Sequence, residues 1–257
     1  MTRTPLEAAR LALACLDLTS LNDDDTPARI EALCARADGP QGRAAAVCVW
    51  PRFARLAREL LVPEVAVAAV ANFPEGSSDV ERAVRDTGEI VQAGAQEVDV
   101  VLPYRALLAG EDARCAELLR AVRRASKGLT LKVILETGEL REDAWIERAA
   151  RLALDEGADF LKTSTGKTAV SATPRAAELM LQTIAQRPQA CNRTGFKASG
   201  GIRSVAEAGV YMDCVEALLG RAALSPKRFR LGASALLTDV LAVLAGRALP
   251  SHGPEGY

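Results

Sequence analysis

Histidine occurs once in the 257 residues, as His252, near the end of the chain in a stretch rich in proline and glycine. That count excludes a catalytic zinc centre built on two or three imidazoles. It also excludes a Ser-His-Asp triad unless the tail folds back over the body. Cysteine is present but unpatterned. Positions 15, 34, 48, 115, 191 and 214 contain no C-x-x-C pair and no regular spacing, which excludes a zinc ribbon and a disulfide framework. They read as free thiols of a reducing cytosol, mostly buried as small hydrophobes. Neither sign of charge dominates, with 32 Lys plus Arg against 33 Asp plus Glu, and aromatics make up only 4%. That surface gives no support to nucleic-acid or acidic-membrane partners. No apolar run approaches the roughly 18 residues of a membrane span. The opening MTRTPLEAARLA lacks a signal-peptide cleavage pattern. A soluble, cytoplasmic protein is expected.

What the chain does have is an alternation, with no linker or low-complexity block to divide it. Short apolar or β-branched runs recur at CLDLTSL (15–21), AAAVCVW (44–50), VAVAAVANF (65–73), EVDVVLPY (97–104), LTLKVILETG (129–138), ADFLKTST (158–165), TGFKASGG (194–201) and RFRLGAS (228–234). Longer stretches with helical spacing lie between them. In one, Val80, Val84, Thr87 and Val91 share a face; in another, Ile146, Ala149, Ala150 and Leu154 do, before Gly157 supplies a C-cap. Eight strands alternating with about eight helices in this length predict an α/β fold, a single-domain (β/α)8 TIM barrel over residues 1–257. A short N-terminal helix and a flexible C-terminal tail over about 247–257 complete it. An open doubly wound sheet fits less well, because no G-x-G-x-x-G follows an early strand.

In such a barrel, function gathers at the C-terminal ends of the strands. Asp17 and Thr19 end the first run, Cys48 sits late in the second and Asn72 closes the third. Asp99 lies inside the apolar EVDVV, Lys132 in the fifth run with Glu136 at its end, Lys162 in the sixth and Lys197 in the seventh. One lysine in a strand can snorkel to the rim. Three on consecutive strands with an aspartate beside them point to a site, because a buried ammonium is costly unless paired. Without histidine or metal, clustered lysines suit one chemistry best. Burial and neighbouring positive charge favour the neutral amine, which attacks a carbonyl carbon and gives a Schiff base. The protonated imine then stabilises a carbanion at the adjacent carbon, with Asp99 available for proton transfer. The residues alone do not rank the three lysines. Gly200 and Gly201 after the seventh strand, before a helix starting near Ser204, and Gly232 after the eighth resemble a phosphate cradle, to which Gly166 and Lys167 can add.

At this point the motifs resemble a known family. LDLTSLNDDDT (16–26), EVDVVLPYRALLAG (97–110), LKVILETGEL (131–140), ADFLKTSTGK (158–167), GFKASGGIR (195–203) and LGAS (231–234) are similar to those of deoxyribose-phosphate aldolase, in order and over essentially the whole chain. The resemblance implies a metal-free, cofactor-free class I aldolase that reversibly cleaves 2-deoxy-D-ribose 5-phosphate to D-glyceraldehyde 3-phosphate and acetaldehyde in deoxynucleoside catabolism. It implies that Lys162 forms the imine, that Lys197 beside it perturbs its pKa, and that Asp99 serves the proton relay. Lys132 takes a supporting position and Thr165 contacts the reacting region. Thr19 and Cys48 complete the wall, and Gly166, Lys167, Gly200, Gly201, Gly232 and Ser234 hold phosphate. Tyr257 matches a tail tyrosine that assists proton transfer. A homodimer is compatible with the family, although the sequence fixes no assembly.

Two departures stand out. The family often reads K-P-A-G-G where this chain has Lys197-Ala198-Ser199-Gly200-Gly201, so a less rigid loop is expected. It also often has two serines after G-A, whereas Ala235 follows Ser234 here, which removes one phosphate hydroxyl. The acidic run Asp23-Asp24-Asp25 before Thr26-Pro27 reads as a solvated helix-capping loop. Cys48 reads first as a buried inert thiol; its place late in the strand, near the mouth, leaves alkylation by aldehyde products as the alternative. Two other functions compete: another Schiff-base sugar-phosphate aldolase or transaldolase, and a non-catalytic phosphosugar-binding barrel whose lysines only bind charge.

Overall fold

The computed structural model describes residues 3–247, so His252, Tyr257 and the expected tail beyond residue 247 lie outside the described residues. All eight apolar runs form strands: β1 (Leu16–Thr19), β2 (Ala46–Val49), β3 (Ala66–Ala71), β4 (Glu97–Val101), β5 (Thr130–Ile134), β6 (Phe160–Lys162), β7 (Gly195–Ser199) and β8 (Phe229–Ala233). Each pairs in parallel with its neighbours in the chain, and β1 pairs with both β2 and β8, closing a TIM-type barrel. Helices cover the outside, which explains why β3 reads AVAAVA and is buried almost throughout.

Helix starts are written locally. Pro5, Pro27, Pro51 and Pro174 each open a helix in its first turn, where a missing N–H costs nothing. Thr4, Thr26 and Thr173 accept the first free amides, and Thr4–Glu7 and Ser204–Glu207 form reciprocal capping boxes. The expected N-terminal helix is Pro5–Ala14, which packs against the helices Val205–Leu219 and Leu236–Leu244.

Three expectations need correction. In the helix Val80–Gln92 the buried face is Ala83, Thr87 and Ile90, while Val91 is exposed and Val80 and Val84 are half-buried. Ala83 and Ile90 lie two turns apart, and the small Ala83 allows close approach to the sheet with the valines at its flanks. In the helix Asp143–Asp155, Ala153, two turns from Ile146, takes the buried place expected for Leu154. The acidic run is not wholly solvated: Asp23 and Asp24 are exposed, but Asp25 is buried. It accepts hydrogen bonds from Ser20 Oγ at 2.9 Å and from the Asn22 amide at 3.0 Å, shaping the loop after β1. Short elements beyond the alternation also appear: the hairpin Asp38–Gly39/Gly42–Arg43 and the helical turns Tyr104–Leu108 and Thr137–Leu140.

Candidate active site

Strand alternation and barrel register bring the charged residues together. Asp99 on β4 is aligned with Lys132 on β5, Lys162 on β6 with Lys197 on β7, and Lys197 with Arg230 on β8. Glu97 lies two residues before Asp99 and so shares its face. Asp17 on β1 is aligned with Gly232. All these charged side chains are buried in the barrel, Lys162 with only 2% of its surface exposed.

They form one network. Asp99 Oδ1 accepts from Lys132 Nζ at 2.7 Å, and its Oδ2 accepts from both Lys162 Nζ at 2.9 Å and Lys197 Nζ at 2.8 Å. Asp17 accepts from Lys197 and, at 2.6 Å, from Arg230. Glu97 accepts from Lys132 and, at 2.7 Å, from Arg230. Buried ions persist when the remaining donors and acceptors are satisfied in this way.

The compensation is uneven. Lys132, Lys197 and Arg230 each bridge at least two carboxylates, whereas Lys162, among the described residues, pairs with Asp99 alone, on an oxygen it shares with Lys197. The titration behaviour follows. Burial lowers the Lys162 ammonium; Asp99 opposes that shift and the Lys197 charge reinforces it, leaving the pKa below the ordinary lysine value. Burial also works against the Lys197 charge, but Asp17 and Asp99 outweigh it and hold this ammonium protonated. Lys132 is raised as well, with Asp99 and Glu97 overcoming burial. Asp99 is desolvated, yet three lysines hold it well below the usual carboxylate range. One amine therefore has its pKa lowered among cations whose pKa values are raised.

Above this network opens a cavity of about 570 Å³. Lys162 is at its floor, and Thr19, Thr165, Gly166, Lys167, Gly200, Gly201, Gly232 and Ser234 are on its walls with Asn22 and Arg203. Asp99, Lys132 and Lys197 lie beneath the floor, and so does Cys48. The thiol is fully buried, as its inert reading expects and its alkylation reading does not, with Sγ 3.9 Å from Asp99 Oδ2, and burial raises its pKa. Gly232 is required here, since a Cβ would fall 2.0 Å from Ser199 Oγ and 3.0 Å from Lys197 Cε.

The two helices that follow β7 and β8 differ at their N-termini. At Val205–Leu219 the amides are already engaged: those of Arg203 and Ser204 by Glu207, that of Glu207 by Ser204 Oγ and that of Val205 by Asp239. Its expected contribution of a helix N-terminus is therefore reduced. Leu236–Leu244 starts after Ala235 with no side-chain cap among the described residues, so its first amides can face an anion. The departure at Ala198 also changes meaning, because this residue is buried inside β7 rather than in the loop.

Asp17, Glu97 and Arg230 belong to the network; sequence reasoning noted Asp17 at a strand end without giving it a role, and missed Glu97 and Arg230. The signal that found Asp99 could have found them, since each is a charge inside an apolar strand, and Glu97 and Arg230 lie two residues from Asp99 and Gly232 respectively. Among the described residues no group of three or more His, Cys, Asp and Glu side chains is arranged to hold a metal ion. No described helix is long and apolar enough to cross a membrane.

Comparison with known proteins agrees with the geometry. Residues 11–224 match the model of the DeoC/LacD family aldolases. The chain is 46% identical to the deoxyribose-phosphate aldolase of Agrobacterium fabrum (strain C58 / ATCC 33970), over 98% of this chain and 97% of that one. Two crystal structures of candidate deoxyribose-phosphate aldolases superpose closely. The apo form from Toxoplasma gondii ME49 does so with a TM-score of 0.86 at 28% identity, covering 96% of this chain and 99% of that one. The protein from Coccidioides immitis has a TM-score of 0.81 at 31% identity, covering 94% and 88%. By family model and by full-length similarity, the chain belongs to the DeoC/LacD family of aldolases.

Proposed function

We propose that this enzyme is a class I aldolase that reversibly cleaves 2-deoxy-D-ribose 5-phosphate to D-glyceraldehyde 3-phosphate and acetaldehyde through a Schiff base on Lys162. The observation that carries the reading is Lys162 itself. It is a buried amine with a depressed pKa at the floor of a cavity, sharing one Asp99 oxygen with a lysine that stays protonated.

The neutral Lys162 amine adds to C1 of the open-chain sugar, and loss of water gives the protonated imine. Removal of the C3 hydroxyl proton breaks the C2–C3 bond, and its electron pair flows into the imine. Glyceraldehyde 3-phosphate leaves and an enamine stays on Lys162. Protonation at C2 and hydrolysis release acetaldehyde and free the amine. Asp99 moves these protons, directly or through water, while burial and the fixed Lys197 charge lower the Lys162 pKa and favour its neutral amine. Lys132 anchors Asp99 from the opposite oxygen. Thr165 and Thr19 border the reacting carbons, with Cys48 beneath them. Gly166, Lys167, Gly200, Gly201, Gly232, Ser234 and the open helix start at Leu236 receive the phosphate. Tyr257, outside the described residues, is proposed as a further proton donor. Such chemistry fits a cytosolic enzyme of deoxynucleoside breakdown.

The test is product analysis by proton NMR. Incubation with 2-deoxyribose 5-phosphate is expected to give acetaldehyde and glyceraldehyde 3-phosphate in equal amounts. An intact sugar phosphate that is bound but never cleaved contradicts the proposal.

A further inference from the structure

Glu136 follows β5 and is fully buried. Its backbone is left-handed, with φ at +57°, a conformation that is strained for a non-glycine residue and persists only where its surroundings enforce it. Among the described residues, each hydrogen-bond donor to this carboxylate comes from the segment that follows β6. Thr165 Oγ1 donates to Oε2 at 2.5 Å, the Thr165 amide reaches Oε1 and Oε2 at 3.3 and 3.4 Å, and Thr168 Oγ1 donates to Oε1 at 3.3 Å. Thr165 Oγ1 in turn accepts from the Lys167 amide at 3.0 Å. The carboxylate, hydroxyl and amide thus form a chain that fixes the backbone on both sides of Gly166.

The two segments also meet through their backbones. The Thr137 amide donates to the Thr163 carbonyl at 3.0 Å. Gly138 approaches the segment after β6 so closely that a Cβ there would lie 2.1 Å from the Val170 carbonyl oxygen. The loop after β5 is therefore seated against the wall of the cavity, and its carboxylate is the group that reaches into that wall. Burial raises the Glu136 pKa, while the three donors favour the ionised form they bind.

We propose that Glu136 is a positioning residue for the phosphate end of the cavity, holding Thr165–Thr168 in the shape that presents Gly166 and Lys167 to a phosphorylated substrate. This inference rests on the reading of Gly166 and Lys167 as phosphate contacts. Glu136 touches no reacting atom; it acts through the segment it holds. Glutamine in its place keeps one acceptor and turns the other into a donor facing Thr165 or Thr168, so the hydroxyls must reorient.

The experiment compares the wild type with Glu136→Gln and Thr168→Val. Binding of inorganic phosphate is measured by calorimetry, and KM and kcat for 2-deoxyribose 5-phosphate are measured beside those for unphosphorylated 2-deoxyribose. Glu136→Gln is expected to weaken phosphate binding and raise KM for the phosphorylated sugar by about tenfold. The kcat/KM for 2-deoxyribose falls by a clearly smaller factor, because Thr165 itself is disturbed, and Thr168→Val, which leaves the Thr165–Glu136 bond in place, moves phosphate binding and KM in the same direction by about threefold. An equal fall for both sugars, or unchanged phosphate affinity, overturns the proposal. If Glu136→Gln does not fold, Thr168→Val decides alone. Should the wild type cleave neither sugar, the proposed reaction fails, while the calorimetry still judges Glu136 separately.

Discussion

Lys162 Nζ lies 2.9 Å from Oδ2 of Asp99, although 63 positions separate the two residues in sequence and a whole strand stands between β4 and β6. Barrel curvature closes that gap. Asp99 is consequently both the partner of the candidate nucleophile and the counter-ion of Lys132 and Lys197.

Replacing Asp99 by asparagine therefore does two things. It leaves three buried cations short of a carboxylate, and breaking such a network costs about 3–5 kcal/mol of stability. It also removes the proposed proton relay, so cleavage is expected to fall by about a hundredfold or more. Denaturant unfolding and steady-state rates check the two effects separately.

Lys197→Met removes the charge that helps Lys162 stay neutral. The amine attacks only when deprotonated, so kcat/KM rises with pH through the Lys162 pKa. In the variant, Asp99 is left to Lys162 and Lys132 alone, and that rising limb moves to higher pH. A shift of about one pH unit corresponds to about tenfold less activity on the acid side of the limb. The pH–rate profile reads it directly.

Acid stability follows from Asp99 and Asp17. Both carboxylates have folded pKa values below the 3.8 of the unfolded chain, so the unfolded state binds more protons in acid. Their contribution is fully present above that value and is lost as pH falls towards the folded values. Thermal melts are expected to be flat with respect to these groups from pH 5 to 7 and to drop steeply below about pH 4. In Asp99→Asn the drop is shallower.

Gly232→Ala places a methyl group against Ser199 Oγ and Lys197 Cε. Overpacking of this kind costs about 1–3 kcal/mol. Because the displaced atoms include the lysine stem, activity is expected to fall with stability, as measured by melting and by turnover.

Ala235→Ser restores the hydroxyl that the resemblance led one to expect. Ala235 has φ −75° and ψ −30°, helical rather than extended, so the serine gains little as a cap. It adds one donor at the open helix start, worth about 1 kcal/mol, or about fivefold tighter binding of inorganic phosphate. Calorimetry distinguishes this from a stability gain.

The barrel was legible because each apolar run is short, is bounded by turns and alternates with helical spacing. All eight strands fall within their expected spans. Lys162, Lys197, Lys132 and Asp99 stood out because a charge inside such a run has no bland explanation once four occur together. Asp17, Glu97 and Arg230 carry the same signal, yet their significance depends on which residues meet across the barrel. That depends on register and closure, which no single run contains. The buried face of Val80–Gln92 was misread for a related reason, because hydrophobicity points to valine where the sheet selects the small Ala83. Asp25 looked solvated beside two exposed aspartates, and only the fold of the β1 loop turns it inward.

The central claim is that Lys162 is the amine that attacks the carbonyl. Intact mass measured after treatment with acetaldehyde and borohydride, on wild type and on Lys162→Arg, tests it most directly. A single two-carbon adduct on the wild type, mapped to Lys162 and absent from the variant, is the predicted result. An adduct that persists on Lys197 in the variant, or no adduct on an enzyme that still binds its ligand, would contradict it.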